Sequence, residues 1–97
     1  MQRIVINTDF GGFGLSEKAE ALYKAYAGIE QDATDWYDWM LERNDPILLQ
    51  VIEQLGVNDA SGKHANLKIV EVPDDVEWEV AEHDGKEWVA ECHRTWR

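Results

Sequence analysis

The sequence predicts one α+β domain over residues 1–97, with a small antiparallel or mixed sheet, two main amphipathic helices and a C-terminal β-hairpin. Short runs of β-branched and apolar residues, typical of strands, occur near both ends of the chain. Two stretches between them repeat apolar residues at steps of three and four, which indicates helices. The length of 97 residues suits a single hydrophobic core.

The first strand and the first helix follow directly from local signals. Residues 3–8 form a short β-branched run that favours a buried strand. Ser16 is a good helix N-cap, because its hydroxyl can accept a backbone N–H of the first turn. The helix is expected over residues 17–27, and Gly28 ends it.

A glycine-rich turn, with Gly11, Gly12 and Gly14, joins this strand to this helix. Backbone N–H groups at such a place can cradle a phosphate. The spacing, however, matches neither the dinucleotide fingerprint nor the P-loop, and the P-loop lysine is absent. The alternative is a tight turn that needs positive φ, with Phe10 and Phe13 packed against the sheet.

Residues 30–41 are acidic and aromatic. Thr34 could cap a short helix that places Trp36, Trp39 and Met40 on one face, where they would grip a base or, more commonly, join the core. Three aspartates recur at three-residue spacing, but the glycine and the final glutamate of a calcium loop are missing. No metal site is therefore predicted.

The second helix has the strongest start signal in the chain. Asp45 is the expected N-cap and Pro46 the first helical residue; five aliphatic residues then share one stripe, and Gly56 ends the helix. Arg43 precedes this N-terminus, where its guanidinium and the helix N–H groups could hold a phosphate together. Its alternative role is a salt bridge to Glu42 or Asp45.

The rest of the chain is predicted to be a loop followed by strands. Residues 57–65 are small and polar, so a loop is expected there. Strands are expected over residues 67–72, 76–80 and 86–92, with Asp84-Gly85 as the hairpin turn.

The hairpin register places apolar rings on both faces. A two-residue turn pairs Val80 with Val89, so these two share a face with Trp78, while Trp88 and Ala90 lie on the other face. Because a sheet with two apolar faces needs two covers, a second copy of the chain is expected on one of them. The sequence therefore predicts a homo-oligomer.

Charge and composition exclude several functions. The chain has 20 acidic and 9 basic residues and a net charge of −11, which argues against general nucleic-acid binding and against anionic membranes. With one cysteine, Cys92, neither a disulfide framework nor cysteine-based zinc binding is expected. No secretion signal or membrane-spanning run is visible, so an intracellular protein is predicted.

Catalysis is not expected. Cys92 and His93 are neighbours on a predicted strand, so their side chains point to opposite faces and cannot act as a nucleophile and its base. His64, His83 and His93 fall in a loop, a turn and a tail without metal-ligand spacing. The sequence thus predicts a protein that is not an enzyme and has no cofactor.

The C-terminus is a cationic spot on an anionic chain. Arg94 and Arg97 flank Trp96, and no acidic residue follows Glu91. Guanidinium groups bind phosphate, and an indole ring offers a face for a base, so a small anionic, aromatic ligand such as a nucleotide is expected. The alternative is a surface end whose arginines offset neighbouring carboxylates.

Three motifs together resemble a known family. They are GGFGLS at residues 11–16, RNDP at residues 43–46 and the ending from Leu67 to Arg97. The chain is similar in these motifs to small phage-encoded anti-Thoeris sponges. The resemblance implies an α+β oligomer in the host cytoplasm that binds and sequesters a cyclic ADP-ribose isomer without turnover. Removing this messenger would block the host's NADase effector.

The resemblance also implies site residues. Family members hold the phosphates with arginines, which by motif position correspond to Arg94 and Arg97, with Arg43 as a third. Bidentate arginines would supply local attraction on a repulsive surface. The family's stacking aromatic is not placed by the motifs, and the candidates on physical grounds are Phe13, Trp78 and Trp96.

Two other functions stay open. The anionic surface could dock on a basic host defence protein, or mimic nucleic acid, and thereby inhibit its target. The chain could also be a phage protein of structural or housekeeping type. Saturable stabilisation by a nucleotide, lost in Arg94→Ala, would distinguish the sponge from both.

Overall fold

The computed structural model describes residues 1–33 and 36–91, apart from the Trp39 side chain. Within them the protein is α+β, as predicted. The elements in chain order are β1 (Gln2–Asn7), α1 (Glu17–Ala27), a 3₁₀ turn (Asp38–Met40), α2 (Pro46–Leu55), α3 (Val57–Ala60), β2 (Leu67–Val72), β3 (Trp78–His83) and β4 (Lys86–Glu91). None of these helices is long and apolar enough to cross a membrane.

The four strands form two antiparallel pairs. β1 pairs with β2 over their full lengths, and β3 pairs with β4 in the predicted register, with Val80 opposite Val89. The turn between β3 and β4 has positive φ at Asp84 (52°) and Gly85 (90°), as a type I′ turn requires. β3 runs up to this turn, to His83, and starts at Trp78, so the predicted strand over residues 76–80 was placed too early.

Among the residues described, the edge of β1 opposite β2 pairs with no strand, so the two strand pairs remain separate sheets. The N–H groups of Val5 and Asn7 point away from β2, because alternate residues of a strand bond to opposite sides. Val5 donates to the backbone carbonyl of Arg43 (2.7 Å) and Asn7 donates to the Glu87 carboxylate (3.0 Å). A single carbonyl and a side chain thus replace a neighbouring strand at this edge.

The core lies between β1 and the helices α1 and α2. Both helix starts are as predicted: Ser16 accepts a hydrogen bond from the Ala19 N–H (3.2 Å), and Asp45 accepts one from the Ile47 N–H (2.8 Å). Tyr23 joins the two helices by donating its hydroxyl to Asp45 at 2.5 Å. Burial and this hydrogen bond to a carboxylate raise the pKa of Tyr23 to about 12. The buried apolar residues of the core cluster are Val5, Leu15, Ala19, Tyr23, Leu48, Leu49, Val51, Ile52, Ala60 and Leu67.

The loop expected over residues 57–65 begins with a helical turn instead. Positive φ at Gly56 (85°) ends α2, and α3 starts at the next residue. Ala60 is fully buried in the core, and the Ser61 hydroxyl donates to the Val57 carbonyl at 2.6 Å. This helical turn was not predicted from the polar sequence, because a single buried alanine produces almost no hydrophobic periodicity.

The acidic, aromatic segment also differs from the prediction. Trp36 precedes the 3₁₀ turn and packs on Tyr23 of α1, with ring centroids 5.7 Å apart. Met40 is 58 % exposed, so these two side chains do not share a buried face. The proposed cap, Thr34, lies outside the described residues. Contact with α1, rather than local periodicity, places Trp36.

Candidate ligand-binding cleft

An open cleft of about 220 Å³ lies between two segments of irregular backbone. One wall is residues 11–15, the glycine-rich turn after β1, and the other is residues 62–65, before β2. The Gly62 N–H donates to the Gly14 carbonyl at 2.9 Å, which holds the walls together at one end. The tertiary fold therefore turns the predicted glycine motif into one side of a cavity.

The glycine-rich turn is squeezed between two parts of the chain. A Cβ added to Gly11 would lie 2.0 Å from the His64 carbonyl oxygen, and one added to Gly85 would lie 2.4 Å from the Phe10 carbonyl oxygen. Of the three glycines in the motif, Gly12 has positive φ (91°). Glycine is therefore required at position 11 because another backbone segment lies too close for a side chain. The predicted requirement for positive φ applies to Gly12.

Phe13 lines the cleft and is stacked on Arg43. The guanidinium carbon lies 3.7 Å from the ring centroid, within the range of a cation–π contact. The Arg43 side chain is 15 % exposed. The structure therefore brings together two of the residues that the sequence singled out, the arginine and a candidate stacking aromatic.

The partners of Arg43 differ from those expected. Neither Glu42 nor Asp45 pairs with it; Arg43 Nη2 lies 2.9 Å from Glu87 Oε2, and Nη1 donates to the Leu41 carbonyl at 2.9 Å. Nε makes a longer contact of 3.4 Å with Glu87 Oε1. Since an arginine has five N–H donors, these contacts leave few for a phosphate. Arg43 therefore packs against one face of the Phe13 ring and is not a free phosphate ligand.

Sequence reasoning missed Glu87, which is 7 % exposed and accepts hydrogen bonds from both Arg43 and the Asn7 N–H. A signal was available in the hairpin register. Glu87 lies on the same face as Val80 and Val89, the face that packs inward. A carboxylate on an apolar face indicates a buried cation partner, because an unpaired buried charge is strongly unfavourable.

Several backbone N–H groups of the glycine-rich turn are unpaired in the described chain. Within the described residues, the N–H groups of Gly11, Phe13 and Gly14 have no hydrogen-bond acceptor. The next N–H, that of Leu15, donates to Asp38 Oδ2 at 2.9 Å. Most backbone N–H groups in folded proteins are paired, so several unpaired donors on one turn indicate a surface that favours anions or water.

Basic residues lie near the same turn. Lys63 and His64 lie on the opposite wall, and Lys86 of β4 approaches the ring of Phe10, with Nζ 5.6 Å from the centroid. Across residues 1–33 and 36–91, neither lysine forms an ion pair, in contrast to Arg3, which pairs with a glutamate of α2. On a chain of net charge −11, an unpaired lysine in the wall of the cleft, Lys63, makes a local site for an anion.

A pair of carboxyl groups lies at the other end of the turn. Asp38 holds the Leu15 N–H and lies beside Glu20 of α1. Burial, followed by the charge of Asp38, raises the pKa of Glu20 above its usual value. Glu20 therefore gains its negative charge at higher pH than a free glutamate. No group of three metal-binding side chains is present in the part of the chain described.

The other predicted site residues are not brought to the cleft. Trp78 is half-buried and donates its indole N–H to Gln2 Oε1 at 2.9 Å, at the far end of β1 from Asn7. It is not among the residues that line the cavity. The three C-terminal candidates, Arg94, Trp96 and Arg97, lie outside the described residues.

Comparison with known proteins adds no family to this description. No protein-family model matches the chain, and no match is found among curated proteins or among solved structures. The resemblance to anti-Thoeris sponges therefore stays a prediction that rests on the sequence motifs. The geometry of the cleft is the independent ground for a functional conclusion.

Proposed function

We propose that the protein binds and sequesters a small signalling nucleotide of the cyclic ADP-ribose class, without turning it over. In this role a phage would use it in the host cytoplasm to withhold the messenger from an immune effector. The observation that carries the proposal is that Phe13, which lines the cleft, is stacked on Arg43, with the guanidinium carbon 3.7 Å from the ring centroid. Within the part of the chain described, the unpaired Lys63 in the cleft and the unpaired N–H groups of the glycine-rich turn support it.

The stacked pair suits a purine base. A ring held on one side by a guanidinium has a fixed orientation, which lowers the entropy lost when a base stacks on it. Phe13 also packs against the core, so its position is set before any ligand arrives. Base stacking on an aromatic side chain contributes about 1–3 kcal/mol per base.

The cavity is smaller than a complete nucleotide site. Its volume of about 220 Å³ lies below the roughly 300–1,000 Å³ of pockets that enclose most of a drug-sized ligand. One copy of the described chain would thus enclose part of a ligand of the size of cyclic ADP-ribose. The remaining contacts are expected from Arg94, Trp96 and Arg97 or from a second copy of the chain.

Titration with cyclic ADP-ribose isomers tests the proposal. We expect saturable binding by calorimetry and a rise in melting temperature, with the affinity reduced roughly tenfold in Phe13→Leu because base stacking is lost. Phe10→Leu is the matched control, since Phe10 lies in the same turn but is 63 % exposed. Equal affinities for both variants, or no binding to the unaltered protein, would contradict the proposal.

A second measurement separates sequestration from catalysis. After incubation, denaturing the complex should release the nucleotide with its mass unchanged, and Arg94→Ala should weaken its retention. Release of a linear or cleaved product would identify an enzyme instead. Native mass spectrometry after incubation with lysate of Thoeris-active cells would reveal which isomer is bound.

One observation favours the alternative function, an acidic docking surface for a host protein. Carboxylates of the β2–β3 region are exposed, namely Glu71, Asp74, Asp75 and Glu79. Such a surface attracts a basic partner at low salt. A salt-sensitive complex with a basic protein, weakened by Asp75→Asn and Glu79→Gln but unchanged in Phe13→Leu, would favour this function over the sponge.

A further inference from the structure

We infer that the phosphates of the bound ligand are held in the cleft by Lys63, together with unpaired N–H groups of the glycine-rich turn. This inference rests on the proposed function for the identity of the ligand, but it concerns a subsite that can be probed with inorganic pyrophosphate alone. It assigns the task to a lysine and the backbone, where the motif resemblance assigned it to Arg43 and the C-terminal arginines.

Arg43 is held by other contacts and is not available to bind the phosphate. Its guanidinium is held by Glu87 and by the Leu41 carbonyl on its edge, and by Phe13 on its face. Pulling it toward a phosphate would leave the Glu87 carboxylate, 7 % exposed, without its partner. Because an unpaired buried carboxylate is costly, Arg43 is held in place and the cleft needs another cation.

Lys63 meets that need. It lines the cavity on the wall opposite Phe13, is exposed, and has no acidic partner among residues 1–33 and 36–91. A flexible ammonium group binds phosphate as a point charge and requires no preformed fork. A ligand with a base on Phe13 and a phosphate on Lys63 would bridge the two walls.

The backbone donors fix the subsite on the turn. The N–H groups of Gly11, Phe13 and Gly14 are without acceptors in the described chain, whereas that of Leu15 is taken by Asp38. Successive N–H groups on a glycine-rich turn form an anion-binding concavity. The turn cannot move closer to the opposite wall, since Gly11 is already in contact with the backbone of that wall.

The surroundings of the two ends of the turn limit where the phosphate can lie. At the Gly14 end, the site of an added Cβ lies 3.7 Å from the Asp38 carboxylate, which would repel a phosphate. At the Gly11 end the turn contacts the backbone carbonyl and Cβ of His64, which leaves no space for a ligand between them. The phosphate is therefore placed at Lys63, which lines the opposite wall, away from Asp38.

Binding of inorganic pyrophosphate to Lys63→Ala, measured by calorimetry at fixed salt, tests this subsite. We expect affinity to fall roughly tenfold, as for loss of a charge-assisted contact, and to be largely retained in Lys63→Arg. The matched control is Lys68→Ala, which removes an exposed lysine of β2 outside the cleft. Adenosine, which has no phosphate, should bind Lys63→Ala and the parent protein equally.

The outcomes separate the subsite from the proposed function. Equal weakening of pyrophosphate binding in Lys63→Ala and Lys68→Ala would show a general charge effect and overturn the subsite, as would a parent protein that binds no pyrophosphate. If pyrophosphate binding depends on Lys63 but no cyclic ADP-ribose isomer binds, the subsite stands and the sponge fails. If such an isomer binds and Lys63→Ala leaves its affinity unchanged, the sponge stands and the subsite fails.

Discussion

At the residue scale, the Glu87 carboxylate connects three parts of the chain. It accepts the N–H of Asn7 at the edge of β1, receives two N–H groups of Arg43, and belongs to β4 of the hairpin. Arg43 in turn offers its own carbonyl to Val5. Because both charges are nearly buried, the pair specifies where the hairpin docks, while its net contribution to stability depends on the hydrogen bonds that surround it.

Arg43→Met should therefore destabilise the fold by about 3–5 kcal/mol, since it leaves the Glu87 carboxylate buried without a cation. Urea unfolding measures this change. Adding Glu87→Gln to the variant should recover part of the loss, because the amide removes the unpaired charge and can still accept the Asn7 N–H. Arg3→Met is the control: Arg3 pairs with Glu53 at the surface, and its loss should cost less than about 1 kcal/mol. Similar losses for the two arginines would contradict a buried pair.

At the scale of elements, the hairpin tip packs on the glycine-rich turn through backbone contacts. Gly85 at the tip faces the Phe10 carbonyl and the Gly12 N–H, with no room for a Cβ. The same turn meets the backbone of the opposite wall of the cleft through Gly11. The shape of the cleft thus depends on the hairpin, although no hairpin residue lines it.

Gly85→Ala should consequently cost more than its turn conformation alone explains. Gly28, the C-cap of α1, also has positive φ (73°) but has nothing within 4 Å of an added Cβ, so Gly28→Ala isolates the conformational penalty of about 1–2 kcal/mol. We expect a clearly larger loss for Gly85→Ala, together with weaker binding of the proposed nucleotide ligand, because the Phe10 carbonyl must move. Equal losses of unfolding free energy in the two variants would mean that the hairpin tip is not packed on the turn.

At the scale of the whole molecule, the outer face of the hairpin is incompletely covered. Trp88 is 47 % exposed, and its neighbours on that face, Ala81 and Ala90, are partly buried. The inner face carries Trp78, Val80 and Val89 and packs toward β1. The strand register therefore places apolar side chains on both faces of the hairpin, as predicted. That a second copy of the chain covers the outer face stays a prediction.

If a second copy covers this face, Trp88→Lys should shift the protein to a smaller oligomer, because a charge would be buried in the contact. Light scattering coupled to size-exclusion chromatography measures the mass directly. Val57→Lys is the control, since Val57 is 37 % exposed on α3, away from the hairpin. An unchanged mass for Trp88→Lys would remove this face as the interface.

Local signals were sufficient where a residue acts on its own neighbours in sequence. Ser16, Asp45 and Gly28 cap helices through contacts within a few residues, and Asp84-Gly85 sets the hairpin register by its own φ values. These features were predicted correctly for that reason. The four-residue α3 was missed because its stability comes from burying Ala60 in the core rather than from its own sequence.

The amino-acid sequence by itself determined the α+β class, the starts of both long helices, the hairpin register and the anionic surface. The tertiary structure alone decided that Arg43 meets Glu87, 44 residues away, and that Phe13 stacks on Arg43 beside Lys63 and His64. The physical reason is the distance along the chain over which each interaction acts. Caps, turns and periodic faces act within one turn of backbone, whereas a cleft forms where distant segments pack, and its position depends on every contact between them.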